Sequence, residues 1–160
     1  MTNNDILRRI RYMFNFNNSD IIAVCKLAGY DVKISDVRDW LKQKDDPLLK
    51  ELRDRELAIF LNGLIIHTRG RKDGPLPVPE ERLNNNIILR KLKIALNLQT
   101  DDILNLFSLV DVKLSKHELS AFFRNPGHKS YRPCMDQYLR NFLTALQRKY
   151  KNKLGQAISL

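Results

Sequence analysis

Apolar residues recur at helical spacing along nearly the whole chain. Ile6, Leu7, Ile10, Met13 and Phe14 fall on one face of a helix, and Ile88, Leu89, Leu92, Ala95 and Leu96 repeat that face later. The run predicts a first helix starting at Asn3 or Asn4, and again at Asn84–Asn86, where an Asn side chain can accept a bond from a first-turn N–H. A second helix follows Asn18-Ser19-Asp20, or Thr100-Asp101-Asp102, because acids favour a helix N-terminus. Gly29, able to take a left-handed backbone at low cost, ends it in the first half. Ser35 and Ser115 are expected to cap a short third helix carrying Trp40-Leu41 or Phe122-Phe123. The fourth runs from about Asp54 to His67, and from about Asp136 to Tyr150. The fold class is all-α.

The two halves are one unit written twice. Shifting the sequence by 82 positions aligns Asn3 with Asn85, Asn4 with Asn86, Arg8 with Arg90, Asn15 with Asn97, Asp20 with Asp102 and Asp54 with Asp136. Matched apolar positions bring the identities to 14, where composition alone gives roughly four or five over such a length. Trp40/Phe122 and Arg9/Lys91 are near matches. Duplication follows. The organisation is a first helical repeat at 1–68, a Pro/Gly-rich basic linker at 69–82, a second repeat at 83–150 and a tail at 151–160. Each repeat is a four-helix unit with a helix-turn-helix-like middle. A unit this small is marginal alone, so the two are expected to pack together.

Composition adds charge to this picture. A hydrophobic content of 43% is too high for a disordered chain. The net charge is +10, and it is uneven: residues 1–80 carry 14 Lys/Arg against 12 Asp/Glu, residues 81–160 carry 14 against 6. The basic second half points to phosphate or an acidic surface as partner. No apolar run reaches the ~18 residues of a membrane span. The first residues lack a signal-peptide pattern, and two cysteines are too few for a disulfide framework. A cytoplasmic protein without membrane contact is expected.

The blocks Asn3–Arg9, Phe60–Ile65, Asn84–Leu92, Thr100–Ile103 and His128–Phe142 together resemble the YehS-type family of small bacterial proteins, which carry a duplicated domain of unknown function. The resemblance spans about residues 2–150 and implies a bacterial cytosolic protein built of two copies. It implies no activity, cofactor or catalytic residue.

Three features carry possible chemistry. Arg8, Arg9 and Arg11 recur as Arg90, Lys91 and Lys93, placing cations near a helix N-terminus where they oppose the macrodipole. A compensating role is called for, either phosphate contact or pairing with acids such as Asp5. The third helix offers Arg38, Lys42 and Lys44 for a groove, but Asp36 and Asp39 repel phosphate and the preceding connection is long for a helix-turn-helix. The segment Asn125–Gln137 is the densest in polar groups. There Tyr131 or His128 can stack on a base while Lys129 and Arg132 hold phosphates. Cys134 with His128 or Arg132 is a weaker nucleophile set, and His117, His128 and Cys134 an incomplete metal set.

The sequence therefore predicts a non-enzymatic nucleic-acid-binding module, RNA slightly favoured over DNA, with no cofactor, metal or catalytic residue. Its expected contacts are Arg90, Lys91, Lys93, His128, Lys129, Tyr131 and Arg132, with Arg8, Arg9 and Arg11 from the first repeat. The alternative is an adaptor that grips an acidic protein partner.

Overall fold

The computed structural model describes the backbone of residues 1–158 and the side chains of residues 1–150. Among the described residues there are eight helices and no strand. They are α1 (Asn3–Phe14), α2 (Asn18–Leu27), α3 (Ile34–Trp40), α4 (Asp54–Arg69), α5 (Asn85–Ala95), α6 (Thr100–Leu109), α7 (Lys116–Phe122) and α8 (Asp136–Ile158). The last helix passes the expected end at Tyr150 and takes in most of the tail. None of the eight is long and apolar enough to cross a membrane.

Local chemistry explains the boundaries. Thr2, not Asn3 or Asn4, caps α1: its hydroxyl accepts from the Asp5 N–H while Asp5 accepts from the Thr2 N–H. Asn84 caps α5 by accepting from Ile87. Asn17 and Gln99 precede α2 and α6, so Asp20 and Asp102 lie in the first turn and close capping boxes. Ser115 caps α7, but Ser35 lies inside α3, whose cap position is Lys33 with no side-chain bond. Helix one of both copies ends on a left-handed Asn, Asn15 at φ 56° and Asn97 at φ 52°. Helix two ends on Gly29 at φ +90°, and at the equivalent place on Asp111 at φ 59°.

The displaced asparagines do something more demanding. Asn4 is buried, and its Nδ2 donates to the carbonyls of Trp40 and Lys50 while its Oδ1 accepts from Leu52 N–H. Asn86 repeats this with Phe122, Arg132 and Cys134. One amide thus fixes the chain between helices three and four in each copy. Beside it, Asn3 reaches Asp54 at 2.7 Å and Asn85 reaches Asp136 at 2.7 Å.

Along its length, however, helix one belongs to the other copy. The helix α1 lies against α8, and α5 lies against α4, while α1 and α4 of the same copy barely touch. The copies therefore interleave rather than stand side by side. Their apolar residues form one continuous core, from Ile6, Ile10 and Phe14 through Phe60 and Leu64 to Leu89, Phe107, Phe142 and Leu146. The remaining helices sit outside: α2 on α4 with α3 beyond it, and α6 on α8 with α7 beyond it. The same two acids latch the exchange. Asp54 of the first copy accepts from Leu83 N–H of the second at 2.9 Å, and Asp136 of the second accepts from the Met1 nitrogen at 3.4 Å. The linker is irregular from residue 70 to residue 84, with Pro79 buried.

Gly63 sets how closely α2 approaches α4. A Cβ built there would stand 2.0 Å from the Val24 carbonyl oxygen, so backbone would have to move. Its equivalent in the second copy is Ala145, which already carries that carbon. Gly63→Ala is expected to lower the melting temperature by about 4–10 °C through overpacking. Ala145→Gly should cost ~1–2 kcal/mol, from helix propensity and the loss of a buried methyl. Asn4→Ala removes the partner of two buried backbone groups, the Trp40 carbonyl and the Leu52 N–H, each worth ~1–3 kcal/mol, and of the part-buried Lys50 carbonyl, and should be more damaging than either. Thermal denaturation followed by circular dichroism checks all three.

Candidate functional site

The duplicated cations of helix one are drawn into the architecture. Arg8 donates to the Lys42 carbonyl at 2.8 Å and to Asp5 at 2.7 Å, and Arg90 donates to the Phe123 carbonyl at 2.9 Å. Both thereby satisfy carbonyls at the C-terminal end of the third helix, where the partial charge is negative. Arg9 crosses to the other copy, bonding Gln147 at 2.9 Å and Thr144 at 2.8 Å. Lys91 makes the reciprocal crossing to Asn62 at 2.6 Å and also meets Glu80 of the linker at 3.1 Å. Only 13% of its side chain is exposed. The Nε of Arg11 is shut off from solvent, and the Lys93 ammonium lies 4.7 Å above the Phe123 ring. Of these six cations, Arg90 is the most open to solvent.

The polar loop behaves differently. The Asn86 clamp holds its end at Arg132 and Cys134, and the Arg132 N–H donates to the Ala121 carbonyl on α7. Two tight turns, His128 N–H to Asn125 O and Tyr131 N–H to His128 O, fold the intervening residues back over α7. His128 Nδ1 accepts from Ser130 N–H, which fixes the imidazole at the loop. A cleft of about 210 Å³ results, lined by His117, Glu118, Lys129, Ser130, Tyr131 and Arg132. Lys129, Arg132, His128 and His117 are exposed, and Tyr131 is half-buried at the wall. Glu118 is the acid within reach. Its carboxyl is held below the ordinary value by Ser115, through backbone and then hydroxyl, and further by Arg132 and His117.

That grouping unites residues the sequence had left apart. By sequence His117 is only a metal candidate, and nothing in its linear position places it beside Lys129 and Arg132. The metal set itself is not assembled: Cys134 is buried beneath the loop while both histidines are exposed above it. Among the described residues no three His, Cys, Asp or Glu side chains gather to hold a metal ion. Burial, and then Asp136, push the Cys134 thiol up to about 12, and burial with Glu56 does the same for Cys25. Neither is poised as a thiolate.

The helix-turn-helix outline gives little that reads a groove. Val37 and Trp40 of α3 are buried, Lys42 pairs with Asp39 at 2.7 Å, and Lys50 pairs with Asp36 at 2.7 Å. Arg38 and Lys44 remain exposed. Lys44 joins Arg8 and Arg9 at the seam between copies, as does Arg140 of α8. Neither had been singled out for that place by the sequence, because both reach it from other elements.

Comparison with known proteins agrees with this two-copy architecture. Residues 3–70 and 85–151 each match one family model, described as "Protein of unknown function (DUF1456)". "Uncharacterized protein YehS" of Escherichia coli (strain K12) is 40% identical over 156 residues, covering 97% of this chain and all of that protein. No solved structure matches the chain. With both copies of the domain matched and a relative this similar over its full length, the chain belongs to the YehS-type family of unknown function, DUF1456.

Proposed function

We propose that this protein is a non-enzymatic nucleic-acid-binding module, favouring RNA over DNA, whose contacts centre on the loop and α7 edge of the second copy. The observation that carries the reading is the cleft lined by half-buried Tyr131 with exposed Lys129, Arg132 and His117. A base stacks on the aromatic wall while the flanking cations hold phosphates. The excess charge of residues 81–160 supplies long-range attraction. Helix-one cations contribute less in this reading, because internal partners occupy Arg8, Lys91 and Lys93. Two thiols held as neutral SH support the non-enzymatic part.

A second reading, a protein adaptor, is favoured by one observation. Exposed apolar residues also come in repeat-related pairs, Leu27 with Leu109 and Tyr12 with Ile94. Purification with and without nuclease, followed by the ratio of absorbance at nucleic-acid and protein wavelengths, separates the two.

Affinity for a single-stranded RNA oligomer, measured by fluorescence anisotropy, is expected to fall steeply with salt. Lys129→Ala with Arg132→Ala should weaken binding and reduce the log–log salt slope by about 1.4, at ~0.7 per phosphate on a single strand. Tyr131→Ala should cost ~1–3 kcal/mol of affinity with little change in slope, since stacking releases few counterions. No anisotropy change at low salt and micromolar protein would end the RNA reading.

The thiols give an independent check. With both raised to about 12, thiolate at pH 8 is on the order of 10⁻⁴ of the total. A disulfide reagent should therefore react very slowly with the native protein and rapidly with both cysteines in denaturant. Fast stoichiometric labelling of Cys134 in the native protein would reopen the case for nucleophilic chemistry.

A further inference from the structure

The seam between the copies carries positive charge that the loop-centred reading does not use. A cleft of about 370 Å³ opens there, lined by Met1, Asp5, Arg8, Arg9, Lys44 and Arg140. First-copy residues face Arg140 of the second copy across it. Its neighbouring acids are already committed. Asp5 accepts from Arg8 at 2.7 Å and from the Thr2 N–H at 2.9 Å. Asp136 accepts from Asn85 at 2.7 Å and from the Met1 nitrogen at 3.4 Å.

Arg9 has no such acid. Its Nε and Nη2 meet neutral acceptors, Gln147 and Thr144, which leaves Nη1 for another partner. Burial, and then the charge of Arg140, hold this guanidinium below its ordinary value. Half-burying one cation beside another is unfavourable unless an anion joins them.

The internal repeat supplies a control. On the opposite seam the equivalent of Arg9 is Lys91, and there Glu80 of the linker meets the ammonium at 3.1 Å. The equivalents of Lys44 and Arg140 are Pro126 and Ala58. One seam is thus neutralised from within, and the other gathers Arg9, Lys44 and Arg140 with Asp5 as its lining acid, already paired with Arg8.

We propose that this seam cleft is a binding site for a multiply charged phosphate group, held between Arg9 and Lys44 of the first copy and Arg140 of the second. Guanidinium forks match phosphate oxygens, and a dianion offsets more of this charge than a carboxylate does. The bound group would bridge the interleaved copies and stabilise the native state. This site is separate from the loop cleft of the preceding section.

The test uses the full chain and inorganic pyrophosphate as probe, by titration calorimetry and thermal melting at constant ionic strength, with sulfate as control. Saturable binding and a rise in melting temperature beyond that in sulfate are expected. Arg140→Ala with Lys44→Ala, both exposed side chains, should weaken pyrophosphate at least about 10-fold, the effect of losing one charge-assisted contact, with an unchanged circular dichroism spectrum. Arg71→Ala with Lys72→Ala removes the same charge from the exposed linker and should leave pyrophosphate affinity unaltered. Absence of saturable binding overturns the proposal, and so does equal weakening by the two double variants. RNA binding lost only in the loop variant, with pyrophosphate binding lost only in the seam variant, separates this site from the proposed function. Displacement of pyrophosphate by a 5′-phosphorylated RNA oligomer, but not by its 5′-hydroxyl counterpart, assigns the phosphate to an RNA end. Displacement by neither assigns it to a free phosphate compound.

Discussion

A buried amide that must find three backbone partners, at Asn4 and again at Asn86, is the constraint from which the rest of this structure follows. Each side chain is sealed from water, so its donors and acceptor are costly to leave unmade. They are made by the segment between helices three and four: Trp40, Lys50 and Leu52 in one copy, Phe122, Arg132 and Cys134 in the other. The N-terminus of helix one is thereby anchored to its own copy. Along its length the apolar face then lies against the opposite copy's fourth helix. Anchoring at one end and burial along the other copy make the two halves interdependent, which accounts for a single core running through both.

The same geometry explains why cations near a helix N-terminus are tolerated. Arg8 and Arg90 face the carbonyl end of helix three, so an unfavourable position on one helix becomes a favourable one on its neighbour. Arg9 and Lys91 cross the seam to polar groups on the opposite fourth helix. What the two copies share is therefore mostly architecture: caps at Asp20 and Asp102, left-handed ends at Asn15 and Asn97, latches at Asp54 and Asp136.

Function is better sought where the copies part. The loop after α7 replaces an acidic segment, Asp45-Asp46-Pro47, with Gly127-His128-Lys129 and turns its charge outward. The seam beside Arg9 gathers Lys44 and Arg140, where the other seam has Pro126 and Ala58. Gly63 against Ala145 shows the same divergence in packing, since at Gly63 the Val24 backbone occupies the space a Cβ would need. Both candidate anion sites are thus departures from a common plan, and neither disturbs the Asn clamps.

The sequence by itself determined the helices, the duplication and the excess of positive charge, because spacing, identity at fixed offset and composition are properties of the linear chain. It also marked the loop at Asn125–Gln137, whose cations, ring and turn residues are contiguous. Helix starts were less legible. Asn3 and Asn4 look like caps by type, yet Thr2 takes that role because the Asn side chains have stronger obligations to distant backbone. Only the tertiary structure decided that helix one crosses to the other copy, since both fourth helices offer it an equally apolar face. That crossing then decided which cations are committed and which are exposed. Arg9 faces Thr144, His117 joins Lys129, and Arg140 joins Lys44 through contacts between residues far apart in the chain, and no pattern of spacing encodes distance across a fold.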